Sequence, residues 1–552
     1  MLDLKNTSFS ITVIVLVLMG LFNSCTDVTE PIDSTVKEED FFQNDEEFIS
    51  ALGDAYGPLA DNYGTTNRGF FWMQNEVSTD EVTVPTWADG GWEDGGVFIR
   101  MHRHTYTPDE AAVDEGWVDL FAGVNNTNRL IFQFESLVES GDVSEDQAAT
   151  FIAELRATRA FYYYLLLDNF GNVPILTSFK DAPEDPSQPS SDFQEGRQAV
   201  FDFVESELLD VIDQLNPNPD ETYGRMNRWG AHMVLARLYL NAEVYTGTPR
   251  WEDAITHANA IIESDRFSMA SNYGDNFDPN NSDSPEAIFA IPYDEVFNQG
   301  FDYHFTSLHY AFQSKLDLQT TLVNGMRVME EFYMSYVDPN QNPGPQGTVI
   351  GRDGSDTTGT VDERMLNNFY VGPQFDAQGN PLTDPASRAD LDPNGPPVNH
   401  RPHLIGLTVS TLDGGARNKK WNIEQGATRN LNNDYFIFRY TEVLLIKAEA
   451  LWRLNNNDSE ALQLVNRVRQ RAGVDDFSSL TADKLLAERG REMFYEGTRR
   501  QDLIRFEGKN GGVTRYNDPW WEKGVTEEYK NVFPIPSDQL ESNTNLVQNP
   551  GY

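Results

Sequence analysis

Apolar residues recur at three- and four-residue spacings along much of the chain. In ELRATRAFYYYLLLDNFG, from Glu154, Ala157, Ala160, Phe161, Tyr164 and Leu167 follow that period and Gly171 ends it. From Arg228 the chain reads RWGAHMVLARLYLNAEVY, turns at Gly247-Thr248-Pro249, and continues as WEDAITHANAIIES. Two helices and a turn over about 35 residues, with small residues where they cross, is the tetratricopeptide pattern. Ala236 and Ala254 allow close approach, while Leu235, Leu238 and Ile261 fill the flanks. The pattern returns at FRYTEVLLIKAEALWRL (438–454), the turn NNND, and SEALQLVNRVRQRAG, with Ala448, Ala450 and Ala461 as the small residues. The expected fold class is all-α, a tetratricopeptide-like scaffold of helical pairs. The repeats are scattered rather than tandem, so a plain solenoid does not fit, and an ordinary helical bundle is the alternative.

Three stretches break the period. Residues 62–116, 266–325 and 338–436 are rich in Gly, Pro, Asp and Asn and read as long irregular loops. Loops of this length inside a compact unit usually carry function. The first holds Trp72, Trp87 and Trp92, with Trp117 at its end.

The first 24 residues differ again. An apolar run from Ile11 to Phe22 is too short to span a bilayer as a stable helix and fits the apolar core of a secretory signal. It leads into Leu21-Phe22-Asn23-Ser24-Cys25, which is similar to a bacterial lipoprotein cleavage box in its Bacteroidetes variant. Cys25 is the single cysteine of the chain, so a lipid-bearing thioether is the expected use and an intramolecular disulfide is excluded. A plain signal peptide with an incidental cysteine is the alternative. The expected organisation is a lipoprotein signal peptide over 1–24, an acidic tether over 25–38 containing Asp27, Glu30 and Asp33, and one compact unit with an N-terminal part (39–265) and a C-terminal part (266–552). No other apolar run reaches 18 residues, so the mature chain is expected to be anchored rather than spanning.

Charge narrows the partners. The 552 residues hold 41 Lys+Arg against 87 Asp+Glu, a formal −46, which repels phosphate backbones and makes nucleic acid an unsuitable ligand. It also disfavours strongly anionic polymers. A hydrophobic content of 39% is enough for a large core. Nothing resembles a Walker loop, a GxSxG elbow, a GxGxxG turn or an HExxH zinc helix. Asp390, Asp392 and Asn394, with Gly395, match the first half of a calcium loop, but Arg401 stands where the closing Glu belongs. Calcium is a weak structural candidate, and no cofactor is expected.

The C-terminal third carries the most specific signal. FRYTEVLLIKAEALWR (438–453), EALQLVNRVRQRAGV (460–474), ERGREMFYEGTRRQDLIRF (488–506) and FPIPSDQLESNTNLVQNPGY (533–552) occur in that order. ELRATRAFYYYLLLDNFGNVPI (154–175) and GRMNRWGAHMVLARLYLNAEVY (224–245) precede them. This set closely resembles the RagB/SusD family of outer-membrane nutrient-binding lipoproteins of Bacteroidetes, over nearly the whole mature chain. The resemblance implies a non-catalytic, lipid-anchored, cell-surface protein of the outer membrane. Such a protein captures oligosaccharides and passes them to a SusC-like TonB-dependent transporter. It also implies that Glu488, Arg491, Glu496, Arg499, Arg500 and Asp502, at helical spacing, brace the scaffold as an ion-pair network, while FPIP straps the C-terminus down. The rivals are a surface-anchored helical glycoside hydrolase, a peptide-binding relative, and a scaffold that touches no sugar.

A sugar offers an apolar C–H face and a rim of hydroxyls, so its site needs exposed aromatic plates and fixed polar groups. NEVSTDEVTVPTWADGGWEDGGVFIRMHRHTYTP (75–108) has both. Trp87, which the resemblance marks as the sugar-stacking position, and Trp92 lie among glycines, with Asp89 and Arg100 as hydrogen-bonding groups. The resemblance implies that IPYDEVFNQGFDYHFTSLHYAFQSKLDLQTTLVNG (291–325) borders the same face, with Tyr303 and Asn324 as its expected contributors. The bland alternative is that both tryptophans pack inward as a cap on the helices.

Overall fold

A computed structural model describes residues 42, 44–64, 70–338, 349–350, 356–357, 360–384, 395–507 and 515–552. The signal peptide, Cys25, the tether and the calcium candidates Asp390, Asp392 and Asn394 lie outside the described residues. The described residues from Ile49 to Tyr552 form one compact unit.

The longer helices are α1 (Asp45–Tyr63), α2 (Val97–Arg103), α3 (Ala111–Ser140), α4 (Glu145–Phe170), α5 (Phe193–Val211), α6 (Arg228–Leu240), α7 (Trp251–Ile262), α8 (Tyr440–Leu454), α9 (Ser459–Arg471), α10 (Ala482–Met493) and α11 (Arg499–Arg505). The fold is all-α, with a few short strands. Several helix starts are fixed by side-chain caps that satisfy otherwise orphaned N–H groups. Ser144 accepts from Gln147 N, Asp192 from Glu195 N, Asn227 from Trp229 N and Gly230 N, and Asp458 from Ala461 N. Helix α4 is buried from Leu155 onward apart from Arg156, so its period is filled by core on every side. It packs on α3 and α5. The pair α6–α7 and the pair α8–α9 each pack internally, and α7 packs on α8, which stacks the two hairpins. Ala236, Ala254, Ala448 and Ala461 are fully buried at these crossings.

The strands that matter below are β1 (Val82–Thr83), β2 (Ala287–Ile291), β3 (Arg327–Val328), β4 (Arg417–Asn418) and β5 (Tyr435–Arg439). β5 pairs antiparallel with β2, from Tyr435↔Ile291 to Arg439↔Ala287, and runs directly into α8. The stretch 62–116 departs from the expected loop. Phe70–Val77 form a π-helix whose Phe71, Trp72, Met73 and Val77 are buried, α2 follows, and α3 begins at Ala111. Apolar density overrode the local Gly and Asp content. Trp72 and Trp117 are core residues.

The charges of 488–502 are buried, where helical spacing alone suggests a surface network. Glu488 accepts from Arg364 (2.8 Å), Arg469 (2.7 Å) and Arg491 (2.6 Å). Burial alone would raise its pKa, but these three guanidiniums outweigh it and hold it down to about 2. Arg499 pairs with Asp80, Arg500 with Asp168, and Asp502 with Arg489 and Arg505. The C-terminal strap docks through Phe533 N to Asn169 O (2.7 Å) and Asn549 Nδ2 to Phe170 O (2.9 Å), beside the end of α4.

Candidate ligand-binding groove

The chain leaves β1 and runs through Thr86 to Trp87 against the segment 407–410. Thr86 N donates to Leu407 O (2.9 Å), Ser410 N to Thr86 O (2.8 Å), and Ala88 N to Ser410 O (3.3 Å). The turn then folds back under its own tryptophan. Gly90 N donates to Trp87 O (2.9 Å) and Trp87 N to Gly91 O (2.8 Å). Gly91 lies flat beneath the indole: a Cβ there would stand 2.5 Å from Trp87 Cε3. Only a residue without a side chain allows the ring to rest on the backbone. Trp87 is thus a half-buried plate, one face supported and its body at the wall of a groove.

The groove has a volume of about 800 Å³. Trp87 and Asp89 form one wall, Pro396 and Pro397 contribute apolar surface, and Ser410–Asp413 line it further. Polar groups come from His309, Asp384, Asn399, Arg401 and Asp413. Tyr310 donates its hydroxyl to Asp384, and His309 Nε2 lies 3.4 Å from the same carboxylate. Ala311 N donates to His309 Nδ1 (3.1 Å), so the ring proton sits on Nε2, facing Asp384. Burial pushes the His309 pKa down, and Asp384 offsets part of that. At neutral pH the imidazole is uncharged. Arg401 and Asp413 face each other at 3.7 Å. An apolar plate beside carboxylate and amide groups suits a neutral, hydroxyl-rich ligand, because carboxylates accept hydrogen bonds from hydroxyls without requiring a charge on the ligand.

Of the residues expected at a site, the structure brings Trp87 and Asp89 into this groove. Trp92 is a clamp instead. Its indole N–H donates to Val323 O (2.8 Å), its ring meets Phe98 edge-on at 5.7 Å, and Gly325 lies so close that a Cβ would be 2.3 Å from the ring. Arg100 holds the loop shut: its Nε and Nη2 donate to Glu110 (2.6 and 2.9 Å) and its Nη1 to Gly95 O (2.6 Å). Tyr303 is fully buried among Phe301 and Trp421, and its hydroxyl donates to Trp421 O, so the expectation that it touches ligand is corrected. Asn324 is buried too. It donates to Leu412 O (3.2 Å) and accepts from Arg417 (3.0 Å), which places it behind the lining segment as a support. Sequence reasoning missed Asp384, Asn399, Arg401 and Asp413. Their one local signal was membership of the Gly/Pro/Asn-rich stretch 338–436.

Among the described residues there is no group of three or more His, Cys, Asp or Glu able to hold a metal, and no helix long and apolar enough to cross a membrane.

Residues 285–552 match the model of the SusD family. The chain is similar to the starch-binding protein SusD of Bacteroides thetaiotaomicron, with 24% identity over 517 residues, 87% of this chain and 84% of that one. It is also similar to the SusD-like protein P38 of Formosa agariphila, at 23% identity over 99% of this chain and 100% of that one. Among solved structures, surface glycan-binding protein A from Bacteroides uniformis superposes with a TM-score of 0.69 at 21% identity, covering 92% of this chain and 99% of that one. Surface glycan-binding protein A from Bacteroides thetaiotaomicron, in complex with laminarihexaose, gives 0.65 at 22% identity, with 92% and 99% covered.

Proposed function

Because the chain belongs to the SusD family, we propose that it is a cell-surface glycan-binding protein that captures oligosaccharides in the Trp87 groove and delivers them to a SusC-like TonB-dependent transporter. The observation that carries the binding site is the glycine-backed indole of Trp87 beside Asp89, His309–Asp384 and Asn399 in one groove. It is a binding protein and not an enzyme, in keeping with relatives named for binding starch and glycans.

The ligand class that suits the groove is a neutral glycan. Stacking uses the apolar sugar face, and the hydroxyl rim is met by Asp89, Asp384 and Asn399. Delivery, and anchoring through a lipid on Cys25, rest on the family resemblance and on the Leu-Phe-Asn-Ser-Cys box.

Affinity electrophoresis on starch, laminarin and fructan gels tests the reading. At least one glycan should retard the protein, and Trp87→Ala should abolish the retardation. Equal retardation of the variant on every glycan refutes the site. Release of reducing ends by the pure protein refutes the non-catalytic reading.

A further inference from the structure

Arginine keeps its charge at any physiological pH, so a buried guanidinium needs partners. Four buried arginines elsewhere in this chain place the Nε/Nη2 edge on a carboxylate. Arg237 does so on Glu442 (2.7 and 2.6 Å), Arg499 on Asp80 (2.7 and 2.7 Å), Arg505 on Glu449 (2.7 and 2.7 Å) and Arg364 on Asp362 (2.9 and 2.6 Å). Arg327 is as deeply buried and does otherwise. Its Nη1 donates to Gly325 O (2.8 Å) and Met326 O (3.1 Å). Its Nε and Nη2, the edge shaped for an anion, are buried with no hydrogen-bond partner among the described residues. The carboxylate whose field reaches it is Asp413, but that side chain is 39% exposed and lies beside Arg401.

The neighbours sharpen the point. Arg327 lies on β3, paired with Thr83 of β1, and the Val328↔Ala416 bridge sets it opposite Arg417 on the other side. Arg417 is also fully buried and gives its donors to neutral oxygens: Asn324 Oδ1 (3.0 Å), Leu412 O (2.6 Å) and Gly414 O (2.8 Å). Like charges opposite one another across strands repel. The hydroxyl of Thr83, on the far side of Arg327, is likewise buried with no hydrogen-bond partner among the described residues. The row Thr83–Arg327–Arg417 therefore joins two buried positive charges to three donor atoms that no oxygen of the described residues uses.

We propose that this row is a binding site for a small inorganic monoanion, chloride being the abundant one, held by Arg327 Nε and Nη2 with the Thr83 hydroxyl. Such an ion supplies the negative charge that Arg237, Arg364, Arg499 and Arg505 obtain from Asp or Glu. The row sits behind the 412–415 segment, so a carboxylate carried on a polymer in the groove is kept from it, whereas a monatomic ion needs only a transient opening. The site is separate from glycan binding and does not depend on that assignment.

The test replaces sodium gluconate by sodium chloride at constant ionic strength and follows Tm. In parallel, crystals grown in bromide are examined for anomalous scattering. The expected results are a saturable rise in Tm of about 1–2 °C and a bromide peak within hydrogen-bonding distance of Arg327 Nε and Nη2. Arg327→Met should lose the chloride response. If that variant does not fold, Thr83→Val should shift the midpoint of the response to higher chloride. Equal Tm in the two salts, a bromide peak elsewhere only, or an unchanged response in the folded variants overturns the proposal.

Discussion

Gly91→Ala isolates what the Trp87 plate does. Gly91 has no positive φ, so alanine fits its backbone, and the lost freedom of the unfolded chain favours the variant slightly. The new methyl would stand 2.5 Å from Trp87 Cε3 and 3.0 Å from Cδ2. Comfortable carbon contacts need about 3.5–4.0 Å, so the indole must lift by roughly 1 Å at that edge. A gap of 0.5–1 Å forfeits about a quarter to a half of a dispersion contact. Removing the ring outright, as in Trp87→Ala, should weaken binding by about 2 kcal/mol, near 30-fold. Displacing it should then cost about 0.5–1 kcal/mol, roughly 2- to 5-fold. Calorimetry on the glycan that retards the protein measures both, with Tm recorded for each variant. Wild-type affinity in Gly91→Ala alongside a large loss in Trp87→Ala would show that the plate is not held by the glycine. An equal loss in both, with a lowered Tm, would show that the loop and not the ring had been disturbed.

Three further outcomes are expected. Trp92→Phe keeps most of the packing but leaves Val323 O without its donor, so Tm should fall by an amount equivalent to about 1–2 kcal/mol while glycan affinity changes less than in Trp87→Ala; the reverse order would return Trp92 to the ligand. Glu449 lies between Arg505 and Arg453, whose charges outweigh burial and hold its pKa down to about 2. With an unfolded value near about 4.3, its stabilisation is complete above that pH and lost as pH falls towards 2. Tm should therefore drop over that window, and Glu449→Gln should destabilise the protein at neutral pH by about 3–5 kcal/mol and flatten the acid limb. Glu81 behaves oppositely: burial raises its pKa to about 8, with Arg499 only partly opposing, so it disfavours folding increasingly as pH rises from its unfolded value towards 8. Glu81→Gln should raise Tm more at pH 9 than at pH 5, and an equal gain at both would refute the assignment.

The helical scaffold was legible because its signal is local. Ala236 and Ala254 announce a crossing within one hairpin, and both are buried at one. The charges after Glu488 show where local reading stops. Their spacing suits pairs along one helix, and Glu488–Arg491 is such a pair. Yet Arg364 reaches Glu488 from 124 residues away, and Asp80 reaches Arg499 from 419. Whether such a network is buried depends on those distant strands and helices, which no spacing rule contains.

The groove divides along the same line. Trp87 could be picked out because the family resemblance marks its position, and the glycine that supports it is four residues away in the same turn. The inward role of Trp92, with equally glycine-rich surroundings, left no local mark, since its partner Val323 is 231 residues distant. Tyr303 and Asn324 lie in the right neighbourhood of the fold but on the inner side of it, one in an aromatic core and the other behind Leu412. Most of the remaining lining comes from 396–413, which is tied to the tryptophan turn by backbone bonds between Thr86, Ala88, Leu407 and Ser410. Main-chain pairing of this kind leaves no mark on side-chain identity. That is why Arg401 and Asp413 carried no signal beyond their place in the stretch 338–436, while the tryptophan of the same groove did.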